Sequence, residues 1–342
     1  TASSDNNGIA YQEWVQISGD FVTLANEESL IATFVFPATT NDLVFRLTVW
    51  DTDFNESSDE TTILVANEAT IYEIQYTTEQ GAYCYETPMA GTTVITSGIV
   101  TAVKPPPSDD GTHHPNFFLS QPGLDSWGGI YVFDSSVNPV KGDEVTLTAK
   151  VNEYYSFTQL IDVFSFEKTA GALPEPIAIS TGDLGIGCSF SGESYEGMLI
   201  AVNNVTVECV DDYGNWTVND GSGATKIDDY FYDGDWPNVA CGGTFPSITG
   251  VVEYSYSQFK ILPSVYDDVN NYVSFDFSLG DLDGNSSVNI LDIVKLANCV
   301  LAQNCLTNDE IYGCAGDVTG DCGYDVLDIV SLVNCVLDPN CG

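Results

Sequence analysis

The pattern of apolar and polar positions divides the chain into a long β-rich part and a short helical part. Up to about residue 285, runs rich in Thr, Val and Tyr are bounded by Gly, Asn, Asp and Pro, as in "VITSGIVTAV" (94–103) and "GIYVFD" (129–134). This pattern predicts β-strands. After residue 285, apolar residues recur at helical spacing. A chain of 342 residues has room for about two to four small domains.

The helical part contains an internal repeat. The sequence "LDIVKLANCVLAQNC" (291–305) returns as "LDIVSLVNCVLDPNC" (327–341), an offset of 36 residues because 327 − 291 = 36. Each copy follows an acidic loop, "GDLDGNSSVNILD" or "GDVTGDCGYDVLD". The repeat therefore predicts two units, each consisting of a loop and a helix.

Oxygen-bearing residues fall at loop positions 1, 3, 5, 9 and 12 in both acidic loops. In the first loop they are Asp281, Asp283, Asn285, Asn289 and Asp292, with the carbonyl of Ser287 at position 7. In the second they are Asp317, Thr319, Asp321, Asp325 and Asp328, with the carbonyl of Gly323 at position 7. Ca2+ requires about six to eight oxygen ligands, and we expect two Ca2+ ions here. The alternative is a pair of solvated acidic turns.

Two such loops that lead into apolar helices resemble type I dockerin modules, which bind cohesins. In that family the two residues after loop position 9 are commonly small and hydroxylated. Here they are Ile290 and Leu291 in the first copy, and Val326 and Leu327 in the second. This departure favours a calcium-stabilised cap or linker, whose apolar residues we expect to pack on a neighbouring domain.

A second repeat lies in the β-rich part. The segment "VNEYYSFTQL" (151–160) resembles "VVEYSYSQFK" (251–260) at an offset of 100 residues. Together with "FFLSQ" and "KGDEVTLTAKVNEYY", this pattern resembles the OB-fold modules of secreted bacterial nucleases and other surface proteins, over roughly residues 70–270. OB-folds often bind single strands on aromatic residues within a basic groove. The modules contain only six lysines, which favours barrel core, or a contact surface for protein or glycan, as the role of their aromatic residues: Tyr154, Tyr155, Phe157, Tyr254, Tyr256 and Phe259.

The N-terminal segment resembles a PKD-like repeat with an immunoglobulin fold. The residues that support this resemblance include Trp14, Gly19, Phe34 and Asp51. In that family about two strands normally precede the segment equivalent to "ASSDNNG", so the resemblance implies an incomplete sandwich. Such a sandwich exposes an unpaired edge and an apolar groove that another chain can fill.

A candidate donor strand is "NYVSFDFSLG" (271–280). In it, Val273, Phe275, Phe277 and Leu279 alternate with polar residues. The alternative is that this segment packs on its own OB-fold or on the calcium module. The predicted fold class is therefore mainly β and multidomain: an incomplete Ig-like sandwich (1–68), two OB-fold barrels (69–173 and 174–270), and a strand linker with a small α-helical, dockerin-like calcium module (271–342).

Charge and cysteine content narrow the choice of partner and compartment. The formal net charge of −42 argues against nucleic acid and anionic membranes. No run of 18 apolar residues that could span a bilayer occurs. Ten cysteines in an acidic chain favour an extracellular or cell-surface protein.

The spacing of the C-terminal cysteines predicts three local disulfides. They are Cys299–Cys305, Cys335–Cys341 and Cys314–Cys322; the alternative, a Zn2+ site, lacks the short Cys-x-x-Cys spacing. Three pairings remain open for the other four cysteines: Cys84, Cys188, Cys209 and Cys241.

No nucleophile elbow, phosphate-binding loop or metalloprotease helix occurs in the sequence. We therefore expect a secreted bacterial structural protein without enzymatic activity. Its copies would assemble head to tail into a filament by strand complementation, stabilised by calcium. Two alternatives are a module that binds a glycan or a protein on a surface complex, and an accessory fragment of a secreted nuclease.

Overall fold

The computed structural model describes residues 8–35, 37, 42–105, 116–305 and 313–338. In these residues the fold is mainly β, with three sheets. The chain divides into two compact units: the first comprises residues up to Ala69 together with Thr92–Ile95, and the second comprises Thr70–Gly91 together with the chain from Thr96 onward.

The first unit contains a single antiparallel sheet of three strands in the described residues. The strands are β1 (Ile9–Ser18), β2 (Leu43–Asp51) and β3 (Glu56–Ile63), in the order β1-β2-β3. Its small core consists of Val22, Leu43 and Phe45, against which Trp14 and other apolar side chains pack. A two-residue strand, β4 (Asn67–Glu68), pairs in parallel with Val94 and Ile95.

Several large apolar side chains of this unit are exposed to solvent. The exposed fractions of Phe21, Leu30, Ile31, Val35 and Phe54 lie between 70% and 88%. All five lie in connections between strands, and the described residues of this unit form one sheet only.

Two five-stranded barrels follow, and they share one topology. The strands of the first barrel are β5 (Thr93–Val103), β6 (Phe117–Ser120), β7 (Gly129–Phe133), β8 (Asp143–Glu153) and β9 (Thr158–Ala170). Their order is β5-β6-β7-β9-β8, and pairing of β5 with β8 closes the barrel. Strands β7 and β9 run parallel to each other.

The second barrel repeats this arrangement. Its strands are β11 (Leu199–Val210), β12 (Trp216–Asn219), β13 (Ala224–Ile227), β14 (Thr244–Ser255) and β15 (Gln258–Leu262), and a short β10 (Ile177–Ala178) extends the sheet at β11. The order is β11-β12-β13-β15-β14, closed by β11 and β14, and β13 and β15 are parallel. The 100-residue repeat in the sequence therefore corresponds to a repeated fold.

The barrels pack directly on each other within the second unit. The ring of Phe118 from the first barrel lies 5.1 Å from that of Phe231 in the second. The backbones touch at Gly129 and Gly197, where a β-carbon on either glycine would overlap backbone atoms at the other. A disulfide between Cys84 and Cys188 also joins this region.

Five helices lie outside the barrels in the described residues. Three are short: α1 (Ile71–Gln75), α2 (Thr181–Leu184) and α3 (Phe190–Glu193). The two longer ones are α4 (Ile290–Ala302) and α5 (Val326–Leu337), which pack around Leu282, Leu296, Ala315 and Leu332. Single 3-10 turns occur at Tyr266–Asp268 and Cys314–Gly316. None of the helices in the described ranges is long and apolar enough to cross a membrane.

Candidate calcium sites

The first acidic loop brings three of its carboxylates together. Oxygen atoms of Asp281, Asp283 and Asp292 all lie within 4.8 Å of one another. Asp292 is fully buried, and its Oδ1 accepts hydrogen bonds from the backbone N–H groups of Leu282 (2.9 Å) and Asp283 (3.1 Å). These bonds fix the carboxylate toward the centre of the loop. The set contains only oxygen ligands, which suits a hard cation such as Ca2+.

The second loop repeats this geometry 36 residues later. Oxygen atoms of Asp317, Asp321 and Asp328 lie within 4.8 Å of one another. Oδ1 of Asp328 accepts from the Thr319 backbone N–H (3.0 Å) and from the Thr319 hydroxyl (2.8 Å). Burial raises the pKa of Asp317, and the nearby Asp328 carboxylate raises it further. A bound cation would relieve this repulsion, because it favours the ionised form of both groups.

Helix capping explains why the local sequence folds in this way. Asn289 and Asp325 cap α4 and α5, with side chains that accept from the N–H groups of Leu291 and Leu327. The last carboxylate of each loop, Asp292 or Asp328, completes a capping box. Asp292 and Asp328 therefore each serve both a helix and an acidic cluster.

The two loops also share their backbone conformation. Gly284 and Ser286 of the first loop have φ angles of 71° and 65°, and Gly320 and Cys322 of the second have 73° and 66°. Left-handed residues at loop positions 4 and 6 turn the chain so that alternate residues face one point.

Several of the other predicted ligand residues make hydrogen bonds within their own loops. The Nδ2 group of Asn289 donates to the carbonyl of Ser287 (2.8 Å), and the backbone N–H of Asn285 donates to Asp281 and Asp283. The N–H of Gly323 donates to Asp321 (2.8 Å). The two carboxylate triads are thus the candidate metal-binding groups that lie together among the described acidic residues.

The predicted disulfide between Cys314 and Cys322 is wrong. Cys314 bonds to Cys241, and Cys322 bonds to Cys209. Both partners belong to the second barrel, so the C-terminal module is covalently attached to that barrel. The spacing of eight residues suggested a local pair, but the loop turns both cysteines toward the barrel instead.

The observed pairing of the remaining cysteines agrees in part with the pairing expected from the sequence. Cys299 bonds to Cys305, as the spacing predicted. Cys84 bonds to Cys188, which is one of the pairs that the sequence left open. Cys209 and Cys241 bond to Cys322 and Cys314, which do not belong to that set of four cysteines. Cys335 is disulfide-bonded, and Cys341 lies outside the described residues.

The apolar residues that follow loop position 9 do not pack on a neighbouring domain. Ile290, Leu291, Val326 and Leu327 are each more than half exposed, at 57–67%. Val294 and Val330 extend the same surface by one turn of each helix and are also exposed. The two helices therefore present matching apolar surfaces to solvent.

The candidate donor segment is engaged by its own chain. Val273 exchanges two backbone hydrogen bonds with Thr244 of β14, at 2.8 and 2.9 Å. Phe275 lies next to Gly242, and Phe277 packs on the core of the C-terminal module. Leu279 is 53% exposed. The segment thus lies along the second barrel and the calcium module, the alternative that the sequence left open, and forms only an isolated bridge.

The aromatic residues of the repeated segments separate into two groups. Phe157, Tyr254 and Phe259 are buried, at 5% exposure or less. Tyr154, Tyr155 and Tyr256 project into solvent, with exposed fractions of 61%, 61% and 92%. Both predicted roles, barrel core and contact surface, are therefore represented.

Three glutamates between the barrels were missed by the sequence analysis. Glu193 and Glu196 are buried, and Glu153 is partly buried. Oε1 of Glu153 accepts from the N–H of Thr87 (2.7 Å), and Oε1 of Glu196 accepts from that of Thr158 (3.0 Å). The Oε2 atoms of all three glutamates are buried and have no hydrogen-bond partner among the described residues.

The environment of these glutamates favours their protonated forms. Burial raises the pKa of Glu153 to about 7. Burial and the Glu153 carboxylate raise the pKa of Glu193 to about 8. Burial also raises the pKa of Glu196, with further contributions from the other two carboxylates. The only signal in the sequence was that Glu153 recurs as Glu253 in the repeat.

Comparison with known proteins indicates the class of the first unit. A family model for a PKD domain matches residues 1–65. This match supports a PKD-like immunoglobulin fold for that segment. A search of curated proteins finds no match for the chain.

Proposed function

We propose that this protein is a secreted bacterial structural subunit, without enzymatic activity, that assembles with copies of itself through apolar surfaces organised by calcium. The observation that carries the proposal is the pair of exposed apolar surfaces on α4 and α5, each directly after a carboxylate triad. Exposed apolar patches on soluble proteins commonly mark interaction sites.

Two Ca2+ ions are the proposed cofactors. The all-oxygen triads, the left-handed loop residues and the capped helices support a dockerin-like module with Asp281, Asp283 and Asp292 in one site and Asp317, Asp321 and Asp328 in the other. Bound Ca2+ would offset the repulsion among three carboxylates in each loop. The ion would thereby fix the N-terminus of each helix, where the apolar residues lie.

The setting that we propose is extracellular. The disulfides between the described cysteines persist in oxidising compartments. The barrel strand order, with its parallel pair of third and fifth strands, supports two OB-folds as the central modules of the chain.

Assembly requires a second surface that complements the exposed apolar residues of α4 and α5. The exposed apolar side chains of Phe21, Leu30 and Ile31, in the connection between β1 and β2, are the groups that we assign to this role. Contact between two different surfaces is heterologous, so each subunit can bind the next and the chain of subunits grows head to tail. Because residues 271–280 are engaged within their own chain, we assign the contact to α4 and α5 rather than to a donated strand.

Sedimentation velocity and electron microscopy of the full chain test this proposal. We expect concentration-dependent oligomers or filaments in Ca2+ and their dissociation in EGTA. Leu291→Lys combined with Leu327→Lys should abolish assembly and leave Ca2+ binding intact. The control Leu173→Lys, at an exposed site in the segment that connects the two barrels along the chain, should have no effect on assembly. A monomer at every concentration in Ca2+, or assembly by the double variant, would contradict the proposal.

A further inference from the structure

A cleft of about 790 Å3 lies between the two barrels. Its volume falls within the range of about 300–1,000 Å3 that is usual for small-molecule sites. Nine aromatic rings line it, and seven of them are tyrosines. Six rings reach solvent: Tyr83, Phe133, Tyr154, Tyr155, Tyr230 and Tyr256.

Two equivalent hairpins place rings at the cleft. The turn between β8 and β9 has Tyr155 and Ser156 at its centre, with φ angles of 54° and 60°. The turn between β14 and β15 has Tyr256 and Ser257, with φ angles of 52° and 62°. Such turns strongly prefer Asn and Gly, because a side chain is unfavourable at positive φ.

At the second of these turns, the choice of tyrosine gains little stability from packing. Tyr256 is 92% exposed, so its ring gains little from burial, and its backbone conformation is unfavourable. Backbone strain of this kind occurs preferentially at functional sites. The second barrel repeats the arrangement of the first, so both hairpins present a tyrosine to one cleft.

Contacts within the cleft hold the ring of Tyr155 in place before any ligand binds. Tyr155 packs edge-on against Tyr83 (5.2 Å between centroids) and against Tyr154 (4.8 Å). The hydroxyl of Tyr254 donates to the carbonyl of Tyr83 (3.1 Å), which connects the walls of the cleft. The disulfide Cys84–Cys188 holds the adjoining segment in place. A preformed site avoids the entropic cost of ordering its side chains on binding.

The charges in the cleft are compensated, which restricts the ligand. Nζ of Lys260 lies 2.7 Å from Oδ2 of Asp228. Burial raises the pKa of Glu253, and the nearby charges of Lys260 and Lys104 act in the opposite direction. The net charge of −42 disfavours an anionic ligand. A cationic ligand would be repelled by lysines that already lie over the rings. Nζ of Lys104, for example, lies 3.1 Å from the centroid of Tyr230. Lys260 lies 5.3 Å from the centroid of Tyr256.

A neutral, polyhydroxylated ligand fits this combination. The faces of a sugar ring carry C–H groups that pack on aromatic rings, and its hydroxyls need polar partners at the edges. The tyrosine hydroxyls, the Gln159 amide and the hydroxyls of Ser255 and Ser257 in the lining provide such partners. We propose that the cleft between the barrels binds a neutral, unsulfated oligosaccharide, with Tyr155 and Tyr256 as stacking platforms.

Isothermal titration calorimetry on the full chain tests the proposal with cellohexaose, xylohexaose, mannohexaose and chitohexaose. We expect binding of at least one of them, and affinity at least tenfold weaker for Tyr155→Asn combined with Tyr256→Asn. Asn suits the positive φ angles, so this variant removes both rings without straining the turns. Tyr213→Asn, which removes an exposed tyrosine outside the cleft, should bind like wild type.

A second variant, Phe133→Ser in the cleft wall, should also weaken binding, and it is independent of the turns. Absence of binding to all four sugars, or equal binding by wild type and the double turn variant, would overturn the proposal. Tighter binding of a heparin hexasaccharide or of tetramethylammonium would overturn it too. Assembly should be unchanged in the double turn variant, so this result is separate from the test of the proposed function.

Discussion

Replacing Glu193 by Gln should make the protein more stable in alkaline solution. Glu193 is buried between the barrels, its Oε2 has no partner in the described part of the chain, and Glu153 lies close enough to repel its charge. Deprotonation therefore places a second negative charge in a site of low polarity. Gln has nearly the same shape and cannot ionise, so the variant avoids that cost.

The magnitude follows from the pKa of Glu193, which is raised from 4.5 to about 8. The folded state therefore holds a proton that the unfolded state releases between these values, and its stability falls as pH rises from 4.5 to about 8. The slope is roughly 1.4 kcal/mol per pH unit. The full shift corresponds to about 5 kcal/mol, an upper bound because Glu153 contributes to it. We expect the variant to exceed wild type by roughly 2 to 5 kcal/mol at about pH 9 and to match it near about pH 4.5.

Guanidinium denaturation followed by tryptophan fluorescence, from about pH 5 to about pH 9 in excess Ca2+, measures this difference. Glu175→Gln is the matched control, because it makes the same charge change at an exposed site and should show no such pH dependence. A difference between Glu193→Gln and wild type that stays constant across this range, or that favours wild type at high pH, would refute the reasoning.

Three further predictions concern the calcium loops, the disulfides and the barrel contact. Asp292→Asn should reduce the calorimetric stoichiometry from two Ca2+ to one, because the buried carboxylate joins a triad; an unchanged stoichiometry would show that the first loop does not depend on it. Cys241→Ser combined with Cys314→Ser should lower the free energy of unfolding of the C-terminal module by about 4 kcal/mol, since this bridge closes a loop of 73 residues. Calorimetry should resolve an earlier transition, and a single unshifted transition would argue against the bridge. Gly197→Ala should lower the melting temperature more than Gly214→Ala does, because both have positive φ but only Gly197 touches the opposite barrel; equal effects would mean that backbone conformation alone matters.

Features encoded by internal repetition could be predicted from the sequence. The offset of 36 residues predicted two loops, and Asp292 and Asp328 occupy equivalent buried positions in them. The offset of 100 residues predicted two similar β-domains, and the barrels share one strand order. Repetition is informative because each copy must satisfy the same packing and hydrogen-bonding requirements.

Features that depend on contacts between modules could not be predicted. The spacing of Cys314 and Cys322 carries no information about which barrel strands lie beside the loop, so a local pair was the simplest inference. The exposed Leu291 and Leu327 were expected to be covered for the same reason. The buried glutamates come from distant segments and have no common motif, so only the fold brings them together.

The positions of the disulfides determine how the second unit would respond to a pulling force. A force applied at Cys84 is transmitted through the first disulfide to Cys188, along the chain to Cys209, and through the second disulfide to Cys322. Only 209 − 188 = 21 residues lie along this route, although the two ends are 322 − 84 = 238 residues apart. At about 3.5 Å per residue, tension can extend this part of the chain by no more than roughly 70 Å. All of the first barrel and most of the second thus lie outside the tensile path, so a pull between Cys84 and Cys322 is not transmitted through them.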